Sequence, residues 1–247
     1  SWTSCSTLPR TASAASWKSR TPPLPLPLPS AAPADVVLAS GNAGKAREIQ
    51  ALLGPEWRVR PQSEFGVVPV EESGDTFLAN ALLKARHAAR LTGLPALADD
   101  SGLEVDALGG EPGVRSARFA GPGADDAANI GKLLAALHGM HDAQRAARFR
   151  CVLVWVDGPD DESPLVAEGT WEGQILPAPR GCGGFGYDPV FMATDSGLAA
   201  AELDPGAKNA RSHRGRALAR LRPLLEARHG PGRQDLFTRA GGPPNIS

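Results

Sequence analysis

The chain has 247 residues, a length that suits one α/β domain of ordinary size. Its 26 lysines and arginines nearly balance 27 aspartates and glutamates, so no global field attracts a nucleic-acid backbone or an anionic membrane. The three cysteines are widely spaced and odd in number, which fits neither a disulfide framework nor a zinc site and predicts a reducing, cytoplasmic location. No apolar run approaches the roughly 20 residues that span a bilayer.

Both ends of the chain differ in composition from the middle. Residues 1–34 are rich in Ser, Ala and Pro and contain no acid, which predicts a disordered extension. A transit peptide and a polyproline ligand remain alternatives, although the proline run prevents the amphipathic helix that transit peptides use. Residues 229–247 contain Gly-Pro-Gly and Gly-Gly-Pro-Pro, which predicts a disordered tail. The domain is therefore predicted to span residues 35–228.

The domain is predicted to begin with a strand, a loop and a helix. Val36 to Ala39 form an apolar run, and apolar residues recur at helical spacing from Ile49 to Leu53. The intervening loop directs backbone N–H groups and the positive end of a helix at one point, which favours phosphate binding. An ordinary strand–helix connection is the alternative. The loop residues are Ser40, Gly41, Asn42, Ala43, Gly44 and Lys45.

A second helix is predicted over residues 76–91, capped by Asp75 or Thr76. Its predicted apolar stripe is Leu78, Leu82, Ala85 and Ala89. The strand that follows carries the adjacent acids Asp99 and Asp100, at least one of which must face inward. Because a buried carboxylate is costly unless it is paired or metal-bound, the two acids predict a cation site. An acidic turn in water is the alternative.

A hairpin and a glycine-rich loop come next. Arg148 to Val156 and Leu165 to Trp171 are predicted to be its two strands. The loop from Pro179 to Pro189 carries Phe185 and Tyr187 among its glycines. Glycine lets a backbone approach a flat ligand while a ring stacks on it, so this loop predicts a nucleobase site. A hairpin whose aromatic residues fill the core is the alternative.

A basic block precedes the last predicted helix. Ser212 is predicted to cap this helix, and Pro223 is predicted to kink or end it. Cations at a helix N-terminus oppose its dipole, so this block predicts a bound anion or electron-rich ligand among Lys208, His213 and Arg214. The predicted apolar stripe is Leu218, Leu221 and Leu225. Surface positions are predicted for the remaining histidines, His87, His138, His141 and His229.

Together these blocks resemble the inosine triphosphate pyrophosphatase family, also called the Ham1 type, over about Val36 to Leu225. The blocks are Ser40-Gly41-Asn42-x-x-Lys45-x-x-Glu48, Thr76-Phe77-x-x-Asn80-Ala81-x-x-Lys84-Ala85, Asp99-Asp100-Ser101-Gly102-Leu103, Gly109-Gly110-x-Pro112-Gly113-x-x-Ser116-Ala117-Arg118, Pro179-Arg180-Gly181-x-x-x-Phe185-Gly186-Tyr187-Asp188-Pro189 and Lys208-Asn209-x-x-Ser212-His213-Arg214. Two positions depart from the family pattern, since Ala79 and Gly206-Ala207 stand where acids are common. The first departure is expected to weaken a contact that orients a metal ligand.

The resemblance implies an α/β fold in which a long mixed sheet with flanking helices forms two lobes around a nucleotide cleft. It also implies a homodimer and Mg²⁺-dependent hydrolysis of ITP, dITP and XTP to the nucleoside monophosphate and pyrophosphate. Asp100 matches the catalytic acid, which serves as general base and contacts Mg²⁺. Glu71 matches a second metal carboxylate, and Asp99 is expected to support both.

The resemblance also assigns the substrate contacts. The phosphate chain is expected to contact residues 40–45, Lys84 and Ser101. Phe185 is expected to stack on the purine, with Gly186, Tyr187 and Asp188 along its edge. Hypoxanthine and xanthine carry a C6 carbonyl acceptor where adenine carries an amino donor, so a set of donors there favours the former. The donors assigned to this role are Lys208, His213 and Arg214.

Three other functions compete with this one. A Maf-like nucleotide pyrophosphatase would share the chemistry, but the Phe185 to Asp188 loop and the basic block argue against it. A nucleotide sensor without catalysis has no need of the acids Glu71, Asp99 and Asp100. A nucleic-acid-binding module is disfavoured because the chain has no net basic charge. Purine nucleoside triphosphates are therefore the expected partners, with neither nucleic acid nor membrane.

Overall fold

The structure is a computed structural model that describes residues 33–230; most of the extension and tail assigned above lie outside the described residues. Strands and helices alternate along the chain. They are β1 (Ala34–Leu38), α1 (Ala43–Leu53), β2 (Trp57–Pro61), α2 (Phe77–Thr92), β3 (Ala96–Val105), α3 (Asp126–Ala136), β4 (Ala146–Val156), β5 (Leu165–Ile175), β6 (Phe191–Ala193), α4 (Pro205–Arg211) and α5 (His213–His229).

One six-stranded sheet organises these elements in the order β2-β1-β3-β4-β5-β6. β1 pairs in parallel with β2 and β3, whereas the pairs from β3 to β6 are antiparallel. The predicted hairpin is confirmed as β4 and β5, in which Val154 lies opposite Val166. The predicted mixed sheet with flanking helices is therefore confirmed as well.

The sheet is covered on both faces by helices. α1 and α5 share one apolar cluster with the sheet, in which Ile49 and Leu218 lie with Trp155. α2 covers other residues of the same strands in a second cluster, which includes Val37 and Val154. A third cluster joins α3 to β6 and to the ends of β3, β4 and β5. The glycine-rich loop enters this third cluster through its buried Tyr187.

The buried face of α2 differs from the predicted stripe. Thr76 caps the helix, as predicted, by accepting a hydrogen bond from the amide of Ala79. Ala85 and Ala89 of the predicted stripe are buried and Leu82 packs against the core, but Leu78 is exposed. The buried face also includes Phe77, Ala81 and Ala88, which were not predicted. The prediction gave half of the stripe to leucines, whereas the sheet is covered mainly by alanines, whose small side chains carry a weaker hydrophobic signal.

The C-terminal helix also runs further than predicted. α5 continues through Pro223 to His229, although an interior proline costs about 3 kcal/mol. Leu221 and Leu225 on either side are both buried, and burial of each contributes roughly 1.5–3 kcal/mol, which offsets that cost. His229, predicted to be a surface residue of the tail, is 6% exposed and packs with Trp57. The domain therefore extends beyond residue 228, and β1 likewise begins inside the predicted extension, at Ala34.

Within residues 33–230, no helix has the length and hydropathy that a membrane span requires. Two cysteines in this part of the chain are free thiols; Cys151 is buried in the sheet and Cys182 is exposed on the glycine-rich loop.

Gly169 on β5 lies against the backbone of α5. A Cβ atom there would lie 2.0 Å from the carbonyl oxygen of His213 and 2.6 Å from the amide nitrogen of Ala217. We expect Gly169→Ala to lower the free energy of unfolding by about 1–3 kcal/mol, because the helix must move away from the sheet. Denaturant unfolding measures this change. Gly158→Ala in the hairpin turn is the control, since a Cβ atom there meets nothing within 4 Å; equal stabilities would contradict the prediction.

Candidate active site

Two adjoining cavities share Asn42, Lys45 and Ala117. The carboxylate cavity has a volume of about 750 Å³ and is lined by Ser40, Gly41, Asn42, Lys45, Glu71, Glu72, Lys84, Asp99 and Arg118, among others. The aromatic cavity has a volume of about 120 Å³ and is lined by Asn42, Lys45, Ser101, Asp126, Phe149, Phe185, Gly186, Tyr187, Asp188, Lys208, His213 and Arg214, among others. Most of the predicted site residues therefore lie around one of these two cavities. The exceptions are Asp100, Ala43 and Gly44, which line neither cavity. Ser101, assigned to the phosphate chain, lines the aromatic cavity.

The loop before α1 has less free donor capacity than predicted. Asn42 caps the helix, and its Oδ1 accepts from the amides of Gly44 and Lys45 at 2.8 and 3.1 Å. The Ser40 hydroxyl accepts from the amide of Asn42 at 3.1 Å. These amides are occupied by the cap, so the predicted backbone cradle for phosphate is only partly available. Lys45 remains the charged donor of the loop.

Asp99 is buried and its charge is offset by side chains of the protein. Its Oδ1 accepts from Lys45 Nζ at 2.8 Å and from the Ser101 hydroxyl at 2.7 Å, and its Oδ2 accepts from Arg214 Nε at 2.6 Å. Burial alone would raise the pKa of Asp99, but Arg214 and Lys45 outweigh it and hold the pKa well below its ordinary value. Asp99 is therefore ionised and fully engaged.

Asp100 has the opposite character. Its Oδ1 accepts from Lys84 Nζ at 2.6 Å, whereas its Oδ2 is buried and has no hydrogen-bond partner among the described residues. Burial raises the pKa of Asp100 above its ordinary value, and Lys84 only partly opposes this. A buried carboxylate oxygen without a donor is costly, so this atom suits a cation or a proton that the protein does not itself supply.

Lys84 joins Asp100 to Glu72, and not to Glu71. The Lys84 ammonium donates to Glu72 Oε1 at 2.9 Å, and Arg118 Nη1 donates to Glu72 Oε2 at 2.9 Å. Burial opposes ionisation of Glu72, but Lys84 and Arg118 lower its pKa below the ordinary value. Glu71 lines the same cavity and is exposed. Glu71 and Glu72 are adjacent in the sequence, and no sequence pattern shows which of them contacts Lys84.

The basic block has acidic partners within the protein, which no local sequence pattern predicted. Lys208 Nζ donates to Glu48 Oε1 at 3.0 Å and to Asp188 Oδ2 at 2.8 Å. Arg214 contacts the other oxygen of Glu48 as well as Asp99. The prediction that these cations require a ligand to offset their charge is therefore wrong. Glu48 stands in a block quoted above but received no role there, since its partners are 160 and 166 residues away.

His213 differs from its basic neighbours. Its ring stacks on Phe149 with centroids 4.8 Å apart, and its buried Nδ1 has no hydrogen-bond partner in residues 33–230. Burial, with help from the charge of Arg214, holds the pKa of His213 well below its ordinary value. The side chain is therefore a neutral imidazole at the wall of the aromatic cavity.

The glycine-rich loop presents Phe185 at the start of α1. Lys208 Nζ lies 4.8 Å from the centre of the Phe185 ring, and a Cβ atom at Gly44 would lie 3.0 Å from its Cδ1. Tyr187 is buried and donates its hydroxyl to the carbonyl of Ser116 at 2.8 Å. The phenol is thus occupied by the protein, as in the alternative in which the loop's aromatic residues fill the core.

Ligand chemistry narrows the kind of metal site available. No group of three or more His, Cys, Asp or Glu side chains that could hold a metal ion occurs in the part of the chain that the structure describes. Mg²⁺ typically takes one or two carboxylates and completes its coordination with waters and substrate phosphates. The carboxylates of Asp100 and Glu72 would supply oxygen ligands of this kind, and both accept hydrogen bonds from Lys84.

The chain is similar to known proteins of a single family. The profile of the Ham1 family matches residues 36–224. A dITP/XTP pyrophosphatase of Methylococcus capsulatus is 58% identical over 193 residues, covering 78% of this chain and 96% of the relative. A dITP/XTP pyrophosphatase of Thioalkalivibrio sulfidiphilus is 57% identical over 194 residues, covering 78% and 99%. The solved structure of a HAM1 protein from Coxiella burnetii has a TM-score of 0.73 at 51% identity, covering 78% of this chain and 99% of that one. Because the profile matches well over half of the chain and these relatives are more than half identical to it, the chain belongs to the Ham1 family.

Proposed function

We propose that this protein hydrolyses non-standard purine nucleoside triphosphates, dITP, ITP and XTP, to the nucleoside monophosphate and pyrophosphate. The observation that carries the proposal is the junction of the two cavities at Asn42 and Lys45. One cavity offers carboxylates and ammonium groups to a phosphate chain, and the other offers aromatic rings and polar groups to a base. The similarity to dITP/XTP pyrophosphatases supports the same substrate class.

Asp100 is proposed as the general base that takes a proton from the attacking water. Its Oδ2 has no donor from residues 33–230, and its pKa is raised by burial, toward the range where a base accepts protons effectively. Lys84 holds the other oxygen and so fixes the direction of the carboxylate. Lys45 and Lys84 line the cavity as cations that offset phosphate charge.

Mg²⁺ is the proposed cofactor, held by Asp100 and Glu72. When bound it would offset the charge of the triphosphate and polarise the attacking water. The geometry favours Glu72 over Glu71 for this role, because Glu72 shares Lys84 with Asp100. Arg118 keeps Glu72 oriented from the other side.

Base selection is proposed to occur in the aromatic cavity. Lys208 and Arg214 are held by Glu48, Asp99 and Asp188, so their remaining N–H groups are fixed in direction. His213 adds a neutral ring nitrogen without a partner in the described residues. Fixed donors favour the C6 carbonyl of hypoxanthine and xanthine over the amino group of adenine.

His213→Phe tests this assignment, because it keeps a ring against Phe149 and removes the ring nitrogens. Since His213 is neutral, the lost hydrogen bond is worth ~0.5–1.5 kcal/mol, so kcat/KM for dITP is expected to fall about three- to tenfold. Residual turnover of ATP should fall less, because adenine lacks the carbonyl. Steady-state kinetics on both nucleotides measures the difference; an equal fall for both would assign His213 to a contact common to all purines.

The proposed activity itself is tested by a nucleotide panel with pyrophosphate detection. The full chain would receive dITP, ITP, XTP, GTP, ATP and dUTP, each with Mg²⁺ and with a chelator. Pyrophosphate release from the first three, abolished by the chelator, is expected. Tight binding without release would indicate a sensor, and a preference for dUTP would indicate a pyrimidine-directed enzyme. The resemblance further implies a homodimer, which analytical ultracentrifugation would detect.

A further inference from the structure

The loop that carries Phe185 is joined to α3 through one side chain. Asp126, the first residue of α3, accepts the backbone N–H of Gly186 with its Oδ2 at 2.6 Å. The two residues are 60 positions apart in the chain. Both line the aromatic cavity, although the mechanism above assigns no role to Asp126. Its carboxylate therefore contacts the loop beside the proposed nucleobase site.

α3 is a firmly held support for this contact. Leu133 in the helix and Leu137, which follows its last residue, are buried in the third apolar cluster. The buried Asn129 accepts from the amide of Ala120 at 2.8 Å and donates to the carbonyl of Ala117 at 3.2 Å. Ala117 lines both cavities. The end of α3 that carries Asp126 is thus fixed with respect to the cavity wall.

The loop itself has little intrinsic stiffness before Phe185. Gly181 and Gly184 both adopt positive φ angles, 77° and 75°, and glycine restricts the backbone less than any other residue. After Phe185, Gly186 also has a positive φ of 63° and carries no side chain that could pack. The position of Phe185 therefore depends on hydrogen bonds to the loop. The Gly183 amide donates to the carbonyl of Ala201 at 3.0 Å, and the Tyr187 hydroxyl donates to Ser116. Nearest to the ring, the Asp188 carboxylate accepts from the Phe185 amide at 2.8 Å and the Asp126 carboxylate accepts from the Gly186 amide.

We propose that Asp126 is a positioning residue for nucleobase binding, which fixes Gly186 and thereby sets where the Phe185 ring lies over the aromatic cavity. The inference rests on the proposed function, since it concerns the base half of the same site. Asp188 belongs to the loop itself and pairs with Lys208 of α4. The Asp126 carboxylate is the contact that joins the loop to α3. Asp126 does not line the carboxylate cavity, and its loss should leave the chemistry of phosphate cleavage intact.

Asp126→Ala tests the proposal against two matched variants. We expect its KM for dITP to rise about tenfold with kcat changed less than about twofold, because only binding of the base is affected. Asp126→Asn retains an oxygen acceptor for the Gly186 amide and should recover most of the loss. Asp125→Ala removes the helix cap on Ala128 at the same end of α3, which lowers stability without contacting the loop. It should leave KM unchanged.

Two further measurements separate positioning from general destabilisation. Amide hydrogen exchange of residues 183–188 should accelerate in Asp126→Ala and not in Asp125→Ala. If Asp126 acts through the Phe185 ring, adding Asp126→Ala to a Phe185→Ala variant should raise KM little further. If the two residues act independently, their fold-changes in KM should multiply. The inference about Asp126 would be overturned, with the proposed function intact, by any of three results. These are an unchanged KM in Asp126→Ala, a failure of Asp126→Asn to restore KM, and fold-changes in KM that multiply in the double variant. A wild-type protein that hydrolyses no purine triphosphate would overturn the proposed function as well.

Discussion

Asp100→Asn is expected to reduce turnover of dITP by at least ~10², because an amide cannot take the proton of the attacking water. The substitution keeps the shape of the side chain, and Lys84 retains its bonds to Glu72 and to the carbonyl oxygen of Asp99. The melting temperature should therefore change little, and much of the nucleotide affinity should remain. Single-turnover kinetics with pyrophosphate detection measures the chemical step, and calorimetry measures retained binding.

Glu71→Gln is the control for that experiment, since Glu71 is an exposed acid at the same cavity. Its turnover should stay within about threefold of wild type, because Glu71 is exposed and is not one of the two carboxylates proposed to hold Mg²⁺. A variant Asp100→Asn with near wild-type kcat would remove Asp100 from catalysis. A large loss in Glu71→Gln would return the metal role to the residue that the family resemblance assigned.

Local patterns in the sequence were sufficient for the longer strands and for three of the helices, but β2, α3, β6 and α4 were not predicted. Apolar runs ending in turn residues predicted β1 and the β4–β5 hairpin, and a hydroxyl before a helical period predicted the caps Thr76 and Ser212. These features depend on neighbours within a few residues, which a sequence displays directly. The buried face of α2 and the passage of α5 through Pro223 depend on packing against the sheet, which a single segment does not display.

The site shows the same division between local and distant causes. The blocks of the sequence identified which residues surround the cavities, because each block is a short loop or a strand end. The pairing of Lys208 and Arg214 with Glu48 joins α4 and α5 to α1, and no local pattern relates residues so far apart. The ion pair of Lys84 with Glu72 likewise has no local signal, because Glu71 and Glu72 are adjacent acids in the sequence.

These pairings change what Arg214 is expected to do. Arg214 is 1% exposed and contacts Asp99, Glu48 and the Ser101 hydroxyl. Burial opposes its charge, but Asp99 and Glu48 raise the pKa of Arg214 above its ordinary value, so it stays protonated. Arg214 is therefore primarily a structural cation that joins α1, β3 and α5, and only secondarily a hydrogen-bond donor to a ligand.

Arg214→Met is expected to lower the free energy of unfolding by about 3–5 kcal/mol, the usual cost of removing one partner from a buried ion pair. Methionine fills much of the same space, so the loss reflects charge more than an empty volume. Arg222→Met is the control on the same helix. Arg222 is half exposed, and its ion pair with Glu56 is long, with 3.9 Å between Nη2 and Oε1. It should change stability by less than about 0.5 kcal/mol. Urea unfolding of both variants measures the difference.

The pH dependence of that loss identifies its cause. In the wild type the folded pKa of Asp99 is depressed, so its stabilising effect is present above the ordinary aspartate pKa of about 3.9 and is lost as pH falls through the folded pKa. Without Arg214, the buried Asp99 can lower its cost by binding a proton, so the gap between variant and wild type should narrow as the solution is acidified. Asp99→Asn combined with Arg214→Met should likewise cost less than the two single losses added together. A variant as stable as wild type that nevertheless fails to bind dITP would instead make Arg214 a substrate donor whose ion pairs contribute nothing to the fold.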